Sequence, residues 1–441
     1  MKGVHYDVVV VGGGAAGLMA AGTAARQGAR TMLIERMERP GRKLRITGKG
    51  RCNLTNAAPA ADFISHFGRN GRFLRQAFSR FFVDDLMAFF SSLGIETVVE
   101  RGGRVFPGRV GAPEVTESLI KWVSRSGVDV VPGRRVSGLV MEGGGARGVV
   151  SGRCSSENVT TADAIILATG GASYPSTGST GDGYELARSV GHTVIPVRPA
   201  LVPLVTLERW PERVCGLTLR NTGVKVLADG KKIGGGFGEV FFSGGSIGGP
   251  VPLTLSGRIV DAVNQRKKVR ISFDLKPALD EKKLEARLLR ELSGCGGGSM
   301  NAVFQSLLPA SLIPIVAEAA GIELGAACSR ITARERRRLR MILKDLRVTV
   351  TGHRGFSEAI VTAGGVSTRE IDPYTMRSRL VRGLFFAGEI IDINGDTGGY
   401  NLQAAFSTGW LAGVSAACQA GGSGGCRDEH AGRRRQGGCG R

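Results

Sequence analysis

The chain has no Cys-x-x-Cys pair. Its eight cysteines (52, 154, 215, 295, 328, 418, 426 and 439) are scattered, which argues against a zinc site and a disulfide framework and predicts reduced thiols in a cytoplasmic protein. No apolar stretch reaches the length of a membrane span. The opening residues are apolar after Lys2, but Asp7 interrupts them, so a signal peptide is not expected. No internal repeat is visible. Acid is scarce: 38 Asp and Glu stand against 59 Lys and Arg, a net charge of +21, which points to a polyanionic partner.

Two catalytic devices are also missing. Cys52 has no companion cysteine until Cys154, so disulfide reduction by a paired dithiol is a poor reading. A second Gly-x-Gly-x-x-Gly in a strand–helix frame is absent, because residues 143–145 and 234–236 stand in turn-like contexts. NAD(P)H remains the expected electron donor, without a residue that identifies its site.

What is present begins at once. An apolar run at 8–11 reads as a buried parallel strand and leads into Gly12-x-Gly14-x-x-Gly17, an Ala-rich helical segment to about residue 27, and a second apolar run at 31–34 that ends on Glu35. Gly12 permits a tight turn, Gly14 lets the backbone approach a pyrophosphate, and Gly17 lets the helix pack close to the strand. The helix start, with Ala15 and Ala16, offers free N–H groups to the phosphates. Glu35 is placed to accept from a ribose hydroxyl pair. This order of elements predicts a dinucleotide-binding domain.

Further along, the pattern predicts a helix over 113–126, a strand at 128–131, a Gly-punctuated meander to about 150, and a buried strand at 164–168 running into Thr169 and Gly170. A Ser/Thr/Gly loop and a helix from about Asp182 follow. From about residue 193 short β-type runs (202–207, 224–227, 239–242, 251–255 and 269–273) predict a small barrel or sandwich. Residues 280–345 read as helices with a break at 294–299. The expected layout is a cofactor domain in two parts, 1–192 and 351–420, around a β-rich insert at 193–278 and a helical subdomain at 279–350. Residues 421–441 read as a basic, Gly-rich disordered tail.

Positive charge clusters at 36–51, 69–80, 334–347 and in the tail, and each cluster is a candidate for gripping RNA phosphates. Alternatives for the same charge are a solvated basic surface or a cleft for a small anion.

The last segment carries a strand at 384–387, a turn at Gly388 and Glu389, and a helix from Asn401 to about 418 whose start is crowded with glycines. Ligands of doubly wound sheets sit outside the carboxyl ends of the strands. Glu389 is thus placed for the phosphate or ribityl part of a cofactor, and the amides of Gly399, Tyr400, Asn401 and Leu402 for its ring, where a helix N-terminus stabilises negative charge. Lys49, Arg51, Cys52 and Asn53 are expected to cover the ring: Arg51 or Lys49 to polarise a carbonyl or hold a phosphate, Asn53 to orient the ring, Cys52 to donate a proton. Tyr400 is the alternative acid. His353 lacks metal-like neighbours and reads as structural. No metal site is expected.

GRKLRITGKGRCNLTN (41–56), ATGGASYPSTGSTGDGY (168–184), TAGGVSTREIDPYTM (362–376) and GLFFAGEIIDINGDTGGYNLQAAFSTG (383–409) resemble the motifs of the YhiN/BaiN-like flavoproteins, over roughly residues 4–418. The resemblance implies an α/β fold: a discontinuous Rossmann-like FAD-binding domain, interrupted by a β-barrel-like domain and a helical subdomain. Arg36 and Lys43, in the basic run after Glu35, are further cofactor-binding candidates. The resemblance also implies an FAD-dependent, NAD(P)H-linked oxidoreductase, whose relatives are variously described as ribosomal-RNA dihydrouridine synthases, bile-acid enone reductases and aminoacetone oxidases. Hydride transfer to a uridine of ribosomal RNA is the leading expectation. A small-molecule reductase or amine oxidase, and a non-catalytic FAD-containing RNA-binding protein, stand beside it. In one loop, FFSGGSIGGP (241–250), Gly244 stands where relatives often carry a His, which weakens transfer of any one activity.

Overall fold

The computed structural model describes residues 4–153 and 156–421. The strands Asp129–Val131, Thr31–Ile34, His5–Val11 and Ser156–Leu167 stand side by side in parallel, and Leu384–Phe386 pairs in parallel with the last of them. Gly145–Arg153 and Arg135–Glu142 extend this seven-stranded sheet in antiparallel fashion. Val8, Val9 and Val10 are fully buried, as a parallel strand covered on both faces requires. The helices Ala15–Arg26 and Tyr400–Ala420 cross closely. A Cβ on Gly409 would stand 2.4 Å from the Ala16 carbonyl oxygen, and one on Gly413 2.4 Å from that of Ala20. Small residues on both helices allow this approach.

A second unit spans Pro199–Ile360. Its strands Leu204–Thr206, Ser246–Gly248, Lys231–Ser243, Thr218–Ala228, Val269–Asp274 and Leu346–His353 close an antiparallel barrel. The helices Glu281–Gly294, Met300–Leu307, Ile313–Ala320 and Ala333–Lys344 share the barrel's apolar core through Leu284, Leu288, Phe304 and Leu343. Barrel and helices fall within one compact unit. Its edges fall at 198/199 and 360/361, because Leu346–His353 closes the barrel and so keeps residues 351–353 in the insert.

Three expectations are corrected. Residues 251–255 belong to a helix, Pro250–Asn264, which starts after Gly249 at φ 93° with Pro at its first position and buries Leu255, Ile259 and Ala262 at helical spacing. Gly234–Gly236 lie within a strand, paired with Val224, Lys225 and Val226, rather than in a turn. Their missing side chains let that helix lie against the strand: Cβ atoms on Gly234 and Gly236 would stand 3.0 Å from Leu255 and 3.1 Å from Val251. Finally, Cys295 and Cys328 form a disulfide with Cα atoms 6.3 Å apart. The two lie 33 residues apart and meet only through the packing of the helices, so no local spacing announces the pair. The basic tail beyond Gly421, with Cys154, Cys426 and Cys439, lies outside the described residues.

Candidate functional site

The first helix starts as the fingerprint requires. The Gly12 amide donates to the Ile34 carbonyl at 2.8 Å. Gly12 has φ 102°, and a Cβ there would stand 2.6 Å from the Ala168 oxygen; one on Gly17 would stand 1.8 Å from the Gly12 oxygen. No other residue fits either position. Helix Ala15–Arg26 begins on Gly14 with no side-chain cap and no acid in its first turn, and a Cβ on Gly14 would meet nothing within 4 Å. An uncapped helix start with room beside Gly14 is what a pyrophosphate needs, so these residues fit the dinucleotide. Glu35 is 9% exposed. It accepts from the Gly13 amide at 2.6 Å and the Met37 amide at 2.7 Å, and each oxygen keeps a lone pair for a ribose hydroxyl. Burial pushes its carboxyl above the usual range, against the lowering effect of the amide hydrogen bonds.

Further from the fingerprint, all four long motifs meet in one hydrogen-bonded cluster. Lys43 donates to Glu389 at 2.7 Å and to Ser173 at 3.2 Å. Glu389 also accepts from the Ser173 hydroxyl at 2.9 Å and the Thr362 amide at 2.7 Å. A Cβ on Gly171 would stand 2.3 Å from the Thr362 hydroxyl oxygen. Beside it, the Thr169 hydroxyl is buried without a partner, and Gly170 holds φ 74°. Gly388, at φ 75°, packs on Ala16 and donates its amide to Thr408 at 2.9 Å. Arg36 is engaged elsewhere: it donates to Asp182 at 3.0 Å, a carboxylate it shares with Arg135.

The last helix, Tyr400–Ala420, begins on Gly399 at φ 102°, again with no side-chain cap and no acid in its first turn. A Cβ on Gly399 would stand 2.2 Å from the Thr55 oxygen. In the amide orientation that satisfies its neighbours, Asn53 accepts from the Gly399 amide at 3.0 Å and donates to Thr55 and Val105. Asn53 therefore anchors the loop of residues 47–53 to the helix start. That loop is tightly coiled, with Lys49 at φ 57° and Cys52 at φ 60°. Asn401 fastens the other side, accepting from the Gly395 amide at 2.8 Å and donating to the Gly395 and Asp396 carbonyls. Leu402 packs half-buried against the core.

Of the expected catalytic groups, none stands free. Cys52 is fully buried and burial pushes its thiol up to about 11. Arg51 pairs with Glu100 and stacks on the Phe106 ring at 4.2 Å. Tyr400, 6% exposed, lies in an aromatic cluster, edge-on to Phe63 at 4.7 Å and stacked on His66 at 4.0 Å; burial, then Asp396 and Asp62, push its hydroxyl above the usual range.

His66 escapes the sequence reading. Its Nδ1 lies 2.7 Å from the Asp396 carboxylate, and its ring is one-third exposed. No other hydrogen bond to the ring occurs among the described residues. The Asp396 amide donates back to the His66 carbonyl at 3.1 Å. Nearby, Asn70 donates to the Asp392 carboxylate at 2.8 Å. Nothing local marks these pairs, since 330 residues separate His66 from Asp396.

Ion pairing thins the basic clusters unevenly. In 36–51, Arg36, Lys43, Arg45 and Arg51 each face a carboxylate. In 334–347, Arg336 and Arg340 bind Glu285, Lys344 binds Asp274 and Arg347 binds Asp345, while Arg334, Arg337 and Arg338 are exposed. In 69–80, Arg69 reaches Asp392 at 3.9 Å, and Arg72 and Arg75 are exposed. In the barrel unit, the His353 ring accepts from the Gly355 amide at 3.0 Å, closing a turn. Gly244 sits at φ 48° beneath Arg354, which donates to its carbonyl; a His there would be strained. Among the described residues, no group of three or more His, Cys, Asp or Glu is gathered as a metal site, and no helix is long and apolar enough to cross a membrane.

Comparison with known proteins adds a family. A family model described as HI0933-like protein Rossmann domain matches residues 6–415. The chain is 34% identical over 410 residues to the 3-dehydro-bile acid delta(4,6)-reductase of Clostridium scindens, covering 92% of this chain and 98% of that protein. It is 28% identical over 409 residues to the ribosomal RNA dihydrouridine synthase of Escherichia coli, covering 92% and 96%. Among solved structures it resembles in fold the 3-ketosteroid delta1-dehydrogenase of Sterolibacterium denitrificans, with a TM-score of 0.52, 12% identity, and coverage of 94% and 99%.

Proposed function

Because the chain belongs to the HI0933-like Rossmann-domain family, we propose that it is an FAD-dependent oxidoreductase that saturates an electron-poor C=C, with a uridine of ribosomal RNA as its leading substrate. The observation that carries this reading is the pair of glycine-built helix starts, at Gly14 and Gly399, both without side-chain caps. The Gly14 end receives the pyrophosphate and Glu35 the ribose. The Lys43–Glu389 cluster lines the middle of the cofactor, and the Gly399 end with the loop of residues 47–53 holds its ring. FAD, when bound, supplies the electron pair that such a reduction needs.

A C=C reduction also needs a proton at the neighbouring carbon. We assign its delivery to His66, because Asp396 orients the ring through Nδ1 and leaves Nε2 for the substrate side. Cys52 and Tyr400 are packed instead. The electron donor is NAD(P)H, docking without a Rossmann module of its own.

The excess of basic residues and the name of the Escherichia coli relative support the RNA substrate. The higher identity to a bile-acid reductase supports the second reading, a small enone, and both names describe saturation of a C=C conjugated to a carbonyl. Dihydrouridine content of ribosomal RNA, measured by nucleoside mass spectrometry with and without the gene, separates them. Loss restored by the wild-type gene but not by His66→Gln supports both the substrate and the proton donor. Loss restored by both removes His66 from the reaction. No change turns the search to enones and amines.

A further inference from the structure

We propose that Arg69, Arg72 and Arg75 form a ridge that binds successive phosphates of single-stranded RNA beside the reaction site; the inference rests on the RNA reading above and names the surface that serves it. Residues Gly68–Leu74 form a 3-10 helix that runs directly into the helix Arg75–Arg80. In a 3-10 helix side chains at i and i+3 eclipse. Each row of this segment accordingly has its own character. Gly71 and Leu74 are buried, Asn70 and Phe73 half-buried, and Arg69, Arg72 and Arg75 exposed. With a rise of about 2.0 Å per residue, the backbone positions of Arg69 and Arg72 lie roughly 6 Å apart along the axis, with Arg75 following at the first position of the next helix. This repeat is comparable to the spacing of neighbouring phosphates along an extended single strand.

The ridge is rigidly seated. A Cβ on Gly71 would stand 2.2 Å from the Ile64 oxygen, and the Phe67 ring lies against Gly395 at a distance only glycine allows, 2.9 Å from a built Cβ. Asn70 and His66 bind Asp392 and Asp396, so the segment is clamped to the loop that leads into the last helix. Arg69, 80% exposed, touches Asp392 only at 3.9 Å, a distance at which solvent screening leaves its charge available. By contrast, the arginines of 36–51 nearest the cofactor cradle are occupied by carboxylates. A single strand suits the site because a uridine has to leave its stack to meet the reacting groups.

The test is binding of a uridine-rich single-stranded RNA to the FAD-loaded full chain, read by fluorescence anisotropy across a salt series. Each phosphate neutralised on a single strand, through release of its condensed counterion, contributes about 0.7 to the slope of log affinity against log salt. The Arg72→Gln/Arg75→Gln variant is expected to flatten the wild-type slope by about 1.4, with unchanged bound flavin as the check on folding. Arg72→Lys/Arg75→Lys is expected to keep the slope, since each lysine still neutralises a phosphate. An unchanged slope in the Gln variant, with tight wild-type binding, overturns the ridge and leaves the RNA reading standing. Absence of salt-dependent binding by the wild type overturns both. Equal affinity for a duplex of the same sequence overturns the preference for a single strand.

Discussion

The first and last helices both start on a glycine, both without a side-chain cap, yet the two starts are built in opposite ways. At the first, every part is contiguous. Gly12, Gly14, Gly17 and Glu35 lie within one strand–helix–strand unit, and the close contacts run between Gly17 and Gly12 or to the neighbouring strand end at Ala168. At the last, the parts come from far apart: Asn53 and Thr55 reach Gly399 from one side, while His66 and Phe63 reach Asp396 and Tyr400 from another. A local motif can specify a phosphate cradle, because backbone amides do the binding. The reaction site proposed at the last helix start takes side chains from several directions, and only the assembled fold brings them together.

The contrast is probed most severely by adding one methyl group at each start. Gly17→Ala and Gly399→Ala place a Cβ 1.8 Å and 2.2 Å from a carbonyl oxygen. Each is expected to lower stability by about 2–3 kcal/mol through overpacking and to reduce bound flavin, checked by thermal melting and flavin absorbance. If only Gly17→Ala does so, the last helix start yields to strain and is not the tight cradle described. Next in size, His66→Gln is expected to keep its flavin while slowing C=C reduction by about 10²–10⁴-fold, measured in single turnover after chemical reduction. Tyr400→Phe should change that rate little, since its ring packing survives. Smallest, Asn53→Ala removes the acceptor from the Gly399 amide and is expected to cost about 1 kcal/mol, read as a shift in melting temperature.

Much of the fold was legible because its signals are local. The buried strand, the fingerprint, the acid at Glu35 and the helices between 281 and 344 follow from periodicity and glycine placement. Where the reading failed, a neighbour distant in sequence decided. The apolar residues near 251–255 suit a strand or a helix, and packing across Gly234 and Gly236 selects the helix. Cys295 and Cys328 become a disulfide because two helical segments bring them together. The basic clusters looked alike as runs of charge, but carboxylates elsewhere in the chain neutralise much of two of them.

The dinucleotide cradle, the family resemblance and the positive charge were therefore written in the chain before it folds. Each rests on contiguous residues or on composition, which folding does not alter. The rest of the site exists only once the chain is packed. Lys43 meets Glu389 across 346 residues and His66 meets Asp396 across 330. Such pairs depend on long-range packing of the strands and helices that carry them, and no spacing along the chain encodes which polar group a buried or half-buried side chain will find.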